Sequence, residues 1–312
     1  MLDLKQSLMA RSIPQDLFLY FAELLRTQAA IALDETKDYL VTTRLSTIAR
    51  DQGHEDVESF IRELKRRPYG TMHQLAIDAM TTNETSFFRD PPHFEALKLT
   101  ILPEIFKRKE ESKTLTIWSA ACSSGQEPYS LAILLWNNFW HKLENWSIRI
   151  VASDISPTML ERAKSATYSD RELRRGITDD IRMRYFTPAD KGFRVKKELT
   201  DLLEFRKMNL ADQWGMMPKF DIIFIRNVLI YFEDETKQNI LAQAARFLDP
   251  EGYLFLGATE PLIRNQAGLK RHQIEGTYCY RKTSPEDSQS DPGVDSSAIM
   301  QNVLEMFRNR SS

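Results

Sequence analysis

The chain has 312 residues, a formal net charge of −2, and 42% hydrophobic and 28% charged residues. This composition is typical of a soluble globular protein, and the length accommodates two domains of ordinary size. The near-neutral charge predicts that neither nucleic acid nor an anionic membrane is the partner. Two cysteines provide neither a disulfide framework nor a cysteine-rich metal cluster, so we expect a cytoplasmic protein without a metal. Because there is no signal peptide and no run of 18 apolar residues, we expect no direct membrane insertion.

Residues 1–80 have the apolar spacing of amphipathic helices and are predicted to form an N-terminal helical domain. The predicted helices are Pro14–Gln28, Glu35–Gln52, Asp56–Arg66 and Thr71–Met80. Gly53 is placed to end the second helix. The region also carries basic residues: Lys37, Arg44, Arg50, Arg62, Lys65, Arg66 and Arg67. They suit either an ordinary solvated face or a docking face for an acidic helical partner, and nearby acidic residues leave the choice open.

Residues 81–113 are predicted to link the helical domain to a second domain. The segment starts with the loop TTNETSFFRD (81–90), which mixes polar side chains with two aromatics and an arginine. Such a loop suits either a ligand clamp or a structural linker. Asp90 precedes two prolines, which predicts that Asp90 caps the helix from Pro92 to about Lys109.

From residue 114 to 282, apolar runs of strand length alternate with helical segments. The strand candidates are Leu115–Trp118, Ile148–Ser153, Leu203–Lys207, Phe220–Arg226 and Tyr253–Gly257. The helices between them lie near Glu127–Trp140, Ser156–Ala166 and Glu233–Leu248. This order predicts an α/β domain with a parallel sheet, which ends in an antiparallel hairpin around Glu275-Gly276. The charged segment 168–202 interrupts the alternation and is predicted to be a small insertion.

The stretch from Thr114 to Ser130 has the strand, turn and helix of a nucleotide-binding unit. Its turn, residues 119–125, consists of small residues that let a ligand approach the backbone, and Gly125 is free to take a positive φ. A dinucleotide pyrophosphate favours a G-x-G-x-x-G turn, whereas Gly125 is the only glycine in this one. We therefore expect a ligand without a pyrophosphate, although an ordinary strand-to-helix turn has the same pattern.

Polar groups follow the other predicted strands, at the edge where open α/β sheets bind ligands. Asp154 ends the second strand, where an acid typically binds ribose hydroxyls; alternatively, it caps the next helix. Asn209-Leu210, after the third strand, suits the edge and face of an adenine. RNVLIYF (226–232), after the fourth, supplies a cation, an amide and a phenol. GATE (257–260), after the fifth, is either part of the site or a strand-ending turn.

Five segments in this order resemble the chemotaxis receptor methyltransferases, the CheR family. They are TTNETSFFRD (81–90), WSAACSSGQEPYSLA (118–132), ASDIS (152–156), RNVLIYF (226–232) and FLGATE (255–260). The resemblance covers roughly residues 14–282. It implies a class I S-adenosylmethionine-dependent methyltransferase fold, Rossmann-like with a mostly parallel seven-stranded sheet. The catalytic domain would span 114–282, the insertion 168–202 would be a small β subdomain, and the all-α domain 1–80 would recognise the receptor.

The resemblance also implies a reaction and a site. The enzyme would transfer the methyl group of S-adenosylmethionine to glutamate side chains of methyl-accepting chemoreceptors, within their cytoplasmic helical region. The products would be glutamate methyl esters and S-adenosylhomocysteine. The implied cofactor contacts are Asn83, Thr85, Arg89, Glu127, Asp154, Asn209, Leu210, Asn227 and Val228. Arg89 and Tyr231 would be the catalytic residues, nearest the transferring methyl. Since a glutamate is ionised near pH 7 and the sulfonium is an activated leaving group, no strong general base is required.

Two other functions compete with this interpretation. A dinucleotide-dependent oxidoreductase would need more glycines at 119–125. A binding-only regulator on a methyltransferase scaffold would be expected to lose cofactor residues, which are in place here. The short turn from Pro188 to Phe193 resembles family members that act without a receptor C-terminal pentapeptide as a tether. We expect a monomer. Residues 283–312 are polar, lie outside the resemblance and are expected to be disordered, with a short helix at 298–307 as one alternative.

Overall fold

The computed structural model describes residues 13–260 and 268–283, which form a helical layer packed on an α/β unit. Apart from Thr283, the predicted tail and its helix at 298–307 lie outside the described residues. None of the helices in the described ranges has the length and hydrophobicity that a membrane-spanning segment requires.

The N-terminal layer contains the four predicted helices. They are α1 Gln15–Ala29, α2 Asp38–Asp51, α3 Val57–Arg66 and α4 Thr71–Met80, with a 3-10 turn at Glu35–Lys37. Gly53, at φ +82°, follows the end of α2 as predicted. A capping box starts α3, where the Asp56 carboxylate accepts the Ser59 N–H at 2.7 Å. The apolar faces of the helices form one core, which includes Leu17, Phe21, Leu45, Phe60 and Ile77.

Two short helices lead from the loop at 81–90 to the sheet. Helix α5 spans Pro91–Ala96, α6 spans Leu102–Arg108, and Leu97–Ile101 forms a π-helical turn between them. Pro103 has no N–H to donate to the carbonyl four residues earlier, which fits a disturbed hydrogen-bond ladder at this point. The helix predicted between Pro92 and Lys109 is therefore present, with a π turn at its centre.

The α/β unit contains ten strands and six further helices among the described residues. The strands are β1 Thr114–Ala120, β2 Ser147–Asp154, β3 Thr167–Tyr168, β4 Phe186–Ala189, β5 Gly192–Val195, β6 Leu203–Lys207, β7 Phe220–Ile225, β8 Leu248–Leu256, β9 Leu269–Ile274 and β10 Thr277–Lys282. The helices are α7 Gln126–Leu143, α8 Pro157–Ser165, α9 Asp170–Leu173, α10 Asp179–Tyr185, α11 Lys197–Thr200 and α12 Asp234–Phe247, and Leu229–Tyr231 forms a 3-10 turn.

Seven strands form the main sheet in the order β6-β2-β1-β7-β8-β10-β9. The first five are parallel to one another, whereas β10 runs antiparallel to β8 and to β9. The predicted mostly parallel sheet and its closing hairpin are both confirmed. The chain order reverses between β1 and β7, which creates a crevice at the carboxyl ends of these strands.

Helices cover both faces of the main sheet. Every residue of β7 is buried. Ile222 and Phe224 belong to the core beneath α5, α6 and α7, whereas Ile223 and Ile225 belong to the core beneath α12. Alternate strand residues point to opposite faces, so a strand covered on both sides is apolar on both faces. Asp221 is the one charged residue of β7, and it forms an ion pair with Lys109.

The insertion forms a second sheet in the order β3-β5-β4. The turn between β4 and β5 contains only Asp190 and Lys191, so the short turn predicted from the sequence is confirmed. The insertion is attached to the main domain by Tyr168, whose buried hydroxyl donates to the Ser124 carbonyl at 2.7 Å.

Hydrogen bonds also attach the helical layer to the α/β unit. The Asp78 carboxylate in α4 accepts the hydroxyls of Ser156 and Thr158, at 3.0 Å each. The Lys207 ammonium donates to the side-chain oxygen of Gln74 at 2.9 Å. These contacts hold α4 beside the carboxyl ends of the parallel strands.

Gly125 generates a stability prediction. Its φ is +95°, and an added Cβ would lie 2.9 Å from the Ala163 Cβ and from the Tyr168 hydroxyl. We expect Gly125→Ala to lower the free energy of unfolding by about 2–3 kcal/mol, from backbone strain and overpacking together. Urea denaturation measures the change. The control is Gly215→Ala, because Gly215 has open space around it and no positive φ; equal losses in the two variants would contradict the prediction.

Candidate functional site

A cavity opens at the carboxyl ends of β1, β2, β6 and β7. All ten residues predicted for the site line this cavity: Asn83, Thr85, Arg89, Glu127, Asp154, Asn209, Leu210, Asn227, Val228 and Tyr231. These residues are distant in the sequence. They meet in the folded chain because parallel strands end at the same edge of a sheet. Their individual roles remain predictions.

The turn after β1 has an unusual backbone. Ser123 has φ +50° and Gly125 has φ +95°, and the positive φ predicted for Gly125 is confirmed. A non-glycine residue in this conformation is uncommon, and such residues cluster at ligand sites. Two hydrogen bonds from β2 hold the turn: the Cys122 N–H donates to the Ser153 carbonyl at 2.9 Å, and the Ser123 N–H donates to the Asp154 carboxylate at 2.8 Å.

Asp154 is buried at the end of β2, with 6% of its surface exposed. One carboxylate oxygen accepts the Ser123 N–H at 2.8 Å, and the other accepts the Ser156 N–H at 2.9 Å. The Ser156 hydroxyl caps α8 by accepting the Met159 N–H, so the alternative that Asp154 is the helix cap is wrong. Burial raises the pKa of Asp154, and the backbone donors partly oppose this by favouring the ionised form. Each oxygen keeps acceptor capacity for a further hydroxyl.

Glu127 is fixed by the guanidinium of Arg226, whose side chain is only 1% exposed. Arg226 donates to one Glu127 oxygen at 2.9 Å, and Ser119 donates to the other at 2.7 Å. Arg226 also donates to the Asp90 carboxylate at 2.6 Å and to the Arg89 carbonyl at 2.7 Å. The guanidinium therefore joins the end of β7 to the loop 81–90 and to the start of α7.

Asp90 occupies the N-cap position of α5, with prolines in the first turn as predicted, but its side chain does not cap the helix. Asp90 has φ +58°, and its carboxylate makes no hydrogen bond to the first turn of that helix. It pairs with Arg226 instead. Glu127 already supplies one counter-charge to the guanidinium, so the pair with Asp90 adds a charge-assisted hydrogen bond at its second nitrogen. Such a bond contributes about 1.5–3 kcal/mol, whereas a helix cap contributes about 1 kcal/mol, so the ion pair prevails.

The charges around Arg226 do not balance. Asp90 and Glu127 contribute two carboxylates against one guanidinium, which leaves one net negative charge beside the cavity. A cationic ligand group would be favoured there.

Arg89 is the second basic residue in the cavity wall. Its guanidinium donates to the Glu84 carbonyl at 3.0 Å. Within residues 13–260 and 268–283, no carboxylate forms an ion pair with it. Arg89 is only partly buried and retains donors that would suit an anionic group.

Asn209 and Leu210 lie in the wall formed by the end of β6. The Asn209 amide donates to the Gln28 carbonyl of α1 at 3.2 Å, and its oxygen accepts the Ala211 N–H at 3.0 Å. Asn209 therefore contributes to the attachment of the helical layer, which the sequence did not indicate. Leu210 is buried and supplies an apolar surface.

Asn227, Val228 and Tyr231 lie in the wall that follows β7. Asn227 has φ +57°, and Tyr231 ends the 3-10 turn that begins at Leu229. The buried carboxylate of Glu260 accepts the Asn227 N–H at 2.6 Å.

The sequence did not indicate the apolar residues that line the cavity from the helical layer, nor the partners of two charged residues in its wall. Ala29, Ile31 and Met80 line it from the helical layer. Arg226 was predicted only as a cation at this edge, and Glu260 only as part of the GATE motif. The structure shows that both hold the cavity wall. The apolar residues have the same pattern as core residues, so no sequence signal separates them. Arg226 and Glu260 had a usable signal, because each is a charged residue within four positions of the end of a buried strand.

The sheet order and the cavity at its switch point define a class I S-adenosylmethionine-dependent methyltransferase. Residues 83–277 match the family model described as CheR methyltransferase, SAM binding domain. Residues 16–81 match the model described as CheR methyltransferase, all-alpha domain. The chain belongs to the CheR methyltransferase family, and its cofactor is S-adenosylmethionine, so the family and the cofactor predicted from the sequence are confirmed.

Curated relatives agree with this assignment. Chemotaxis protein methyltransferase Cher2 of Pseudomonas putida is 41% identical over 248 residues, which cover 78% of this chain and 90% of that protein. Chemotaxis protein methyltransferase 1 of Pseudomonas aeruginosa is 40% identical over 250 residues, with coverage of 78% and 90%. A solved structure, a TehB-like SAM-dependent methyltransferase from Corynebacterium glutamicum, is 12% identical and covers 62% of this chain and 100% of that one. Its TM-score of 0.35 is too low to support an argument.

His93, directly behind the site, generates a pH prediction. Its ring packs against Phe255, and its buried Nδ1 has no hydrogen-bond partner among the described residues. Burial, and then the charge of Arg226, lowers the pKa of His93 from 6.5 to about 4. Below pH 6.5 the imidazole of His93 is therefore protonated in the unfolded chain but stays neutral in the folded chain down to about pH 4. Because of this difference, the free energy of unfolding falls as the pH falls from 6.5 to about 4.

We expect His93→Phe to remove this loss while keeping the packing on Phe255. Between pH 7 and pH 4 the wild-type free energy of unfolding should fall by about 3 kcal/mol more than that of the variant. Urea denaturation across this pH range measures the difference. Parallel curves for the two proteins would show that His93 ionises equally in both states.

Proposed function

We propose that the protein transfers the methyl group of S-adenosylmethionine to glutamate side chains of methyl-accepting chemoreceptors. The products are glutamate methyl esters and S-adenosylhomocysteine, and the reaction takes place in the cytoplasm on the helical region of the receptor. Family membership supports the cofactor and the chemotaxis setting. The observation that carries the glutamate assignment is Arg89, a cavity arginine with no carboxylate partner in the described part of the chain.

The cavity wall fits S-adenosylmethionine in its chemical groups. The uncompensated negative charge beside Glu127 suits the cationic amino group and sulfonium of the methionine part. Asp154 has acceptor capacity for the ribose hydroxyls. Leu210 and Val228 offer apolar surface to an adenine ring, and the amides of Asn83 and Asn227 and the Thr85 hydroxyl supply donors and acceptors. When bound, the cofactor supplies an activated methyl group.

The residues of the cavity would then have to orient the acceptor, and none would have to act as a base. A glutamate acceptor is already ionised near neutral pH, so no proton has to be removed before transfer. The carboxylates in the cavity are poorly placed to act as bases, because Glu127 is paired with Arg226, Asp154 accepts two backbone donors and Glu84 is paired with Arg175. A lysine acceptor would need a base, whereas a glutamate acceptor needs an orienting cation. The Arg89 guanidinium is suited to that role.

Arg89 and Tyr231 would orient the acceptor. Arg89 would pair with the glutamate carboxylate or with the carboxylate of the cofactor, and the Tyr231 hydroxyl would hydrogen-bond the acceptor oxygen. In-line alignment and partial removal of water are the main contributions to the rate in such a reaction. The short β4–β5 turn supports attachment to the receptor without a pentapeptide tether, and we propose that the enzyme acts as a monomer.

The reaction is tested with S-adenosylmethionine labelled in its methyl group and membranes that carry chemoreceptors. We expect label on the receptor that is released as methanol in mild base, as a carboxyl methyl ester requires, and mass spectrometry should locate it on glutamate. Label that survives base would indicate methylation on nitrogen and would refute the proposed substrate.

The roles of Arg89 and Tyr231 generate a second prediction. Tyr231→Phe should lower kcat for receptor methylation about 10- to 100-fold, because one hydrogen bond at the reacting carboxylate is lost. Arg89→Ala should lower kcat at least as much, and Arg89→Lys should recover part of it by keeping the charge. Circular dichroism should show that all variants are folded. Tyr278→Phe is the control for the loss of a hydroxyl, since Tyr278 lies on β10 outside the cavity wall; activity equal to wild type in Tyr231→Phe would remove Tyr231 from the mechanism.

A further inference from the structure

Glu260 is a buried carboxylate to which neither the resemblance nor the proposed reaction assigns a role. It is 6% exposed and follows β8. One of its oxygens accepts the N–H groups of Asn227 at 2.6 Å and Gly257 at 2.9 Å. The other accepts the N–H of Ile230 at 3.1 Å. All three donors are backbone N–H groups, so this carboxylate stabilises one conformation of the backbone.

The backbone that Glu260 binds is the wall segment between β7 and α12. Asn227, with φ +57°, starts the segment in a conformation that is uncommon for residues other than glycine. Ile230 lies next to Tyr231 in the 3-10 turn. The carboxylate therefore holds both ends of the segment that carries Asn227, Val228 and Tyr231 into the cavity wall.

The contact between the two loops is too close to allow a side chain at Gly257. A Cβ at this position would lie 2.5 Å from a Glu260 carboxylate oxygen and 2.8 Å from the Asn227 side-chain nitrogen. Residues 257–260 and the segment after β7 thus form one hydrogen-bonded unit at neighbouring strand ends. The GATE motif forms a strand-ending turn, in which the Glu260 N–H donates to the Gly257 carbonyl at 2.9 Å, and its carboxylate also makes this contact with the segment after β7.

We propose that Glu260 is a positioning residue for methyl transfer, which sets Tyr231 and Asn227 by binding the backbone of the segment between them. This inference rests on the proposed function for its kinetic consequences only. Its structural consequence, the ordering of three particular amides, is independent of the substrate.

The two carboxylate oxygens predict different effects for a conservative variant. In Glu260→Gln, the remaining carbonyl oxygen is expected to keep the pair of N–H donors from Asn227 and Gly257. The new amide group would then face the Ile230 N–H, donor against donor, and would release the end of the segment that carries Tyr231. Glu260→Ala would release both ends.

The experiment compares kcat for receptor methylation with the affinity for S-adenosylmethionine measured by calorimetry. For Glu260→Gln we expect kcat to fall about 10-fold or more, with the affinity within about 3-fold of wild type. For Glu260→Ala we expect both to fall. The control is Glu233→Gln, the same chemical change at an exposed residue shortly after Tyr231, which should leave both unchanged. An unchanged kcat in Glu260→Gln, or losses of kcat and affinity explained by its unfolded fraction, would overturn the proposal.

Amide hydrogen exchange separates this proposal from the proposed function. In Glu260→Gln the Ile230 amide should lose protection while the amides of Asn227 and Gly257 retain it. If wild-type protein does not methylate receptors but the exchange pattern is as stated, the proposed substrate fails and the positioning role stands. If Glu260→Gln does not fold, Gly257→Ala tests the same contact, with a loss of cofactor affinity expected; wild-type affinity in that variant would contradict the proposal.

Discussion

The site depends on the buried guanidinium of Arg226. It is attached to the end of β7, and it binds Glu127 at the start of α7 and Asp90 in the loop that enters the α/β unit. Loss of Arg226 would typically cost about 3–5 kcal/mol or more, because both carboxylates would remain without a counter-charge in a medium of low polarity. These elements are therefore constrained to one arrangement. The same ion pairs leave a single negative charge in excess, which provides a favourable place for the cationic end of the cofactor.

Strained backbone around the cavity is held by hydrogen bonds from neighbouring strand ends. Ser123 and Asn227 both have positive φ, and each donates its N–H to a buried carboxylate, Asp154 in one case and Glu260 in the other. A conformation that costs about 1–3 kcal/mol persists only where its surroundings enforce it. The two carboxylates differ in one respect that matters for function. Asp154 also lines the cavity and has acceptor capacity for a ligand, whereas the hydrogen bonds that Glu260 accepts all come from backbone N–H groups.

The helical layer takes part in the site as well as covering it. Met80 and Ile31 line the cavity, and Asp78 bonds two hydroxyls at the start of α8. Such enclosure reduces the access of water to the site of methyl transfer. Since the all-α domain forms part of the wall, a surface that recognises the receptor would be rigidly connected to the cofactor.

The sequence by itself determined the type and order of most elements, because helical and strand periodicities are local and the faces of a doubly wound sheet are strongly apolar. It also determined which residues at the strand ends gather at the cavity, since strand ends in a parallel sheet share one edge, but it did not indicate Ala29, Ile31 and Met80 of the helical layer. Only the tertiary structure decided how those residues are paired. Arg226 and Glu127 are 99 positions apart, and nothing in the local pattern of either indicates the other. Asp90 shows the limit most clearly. Its neighbours predict that its side chain caps a helix, but the carboxylate pairs instead with the buried guanidinium of Arg226. Arg226 is 136 positions away, so this competition exists only once the chain is folded.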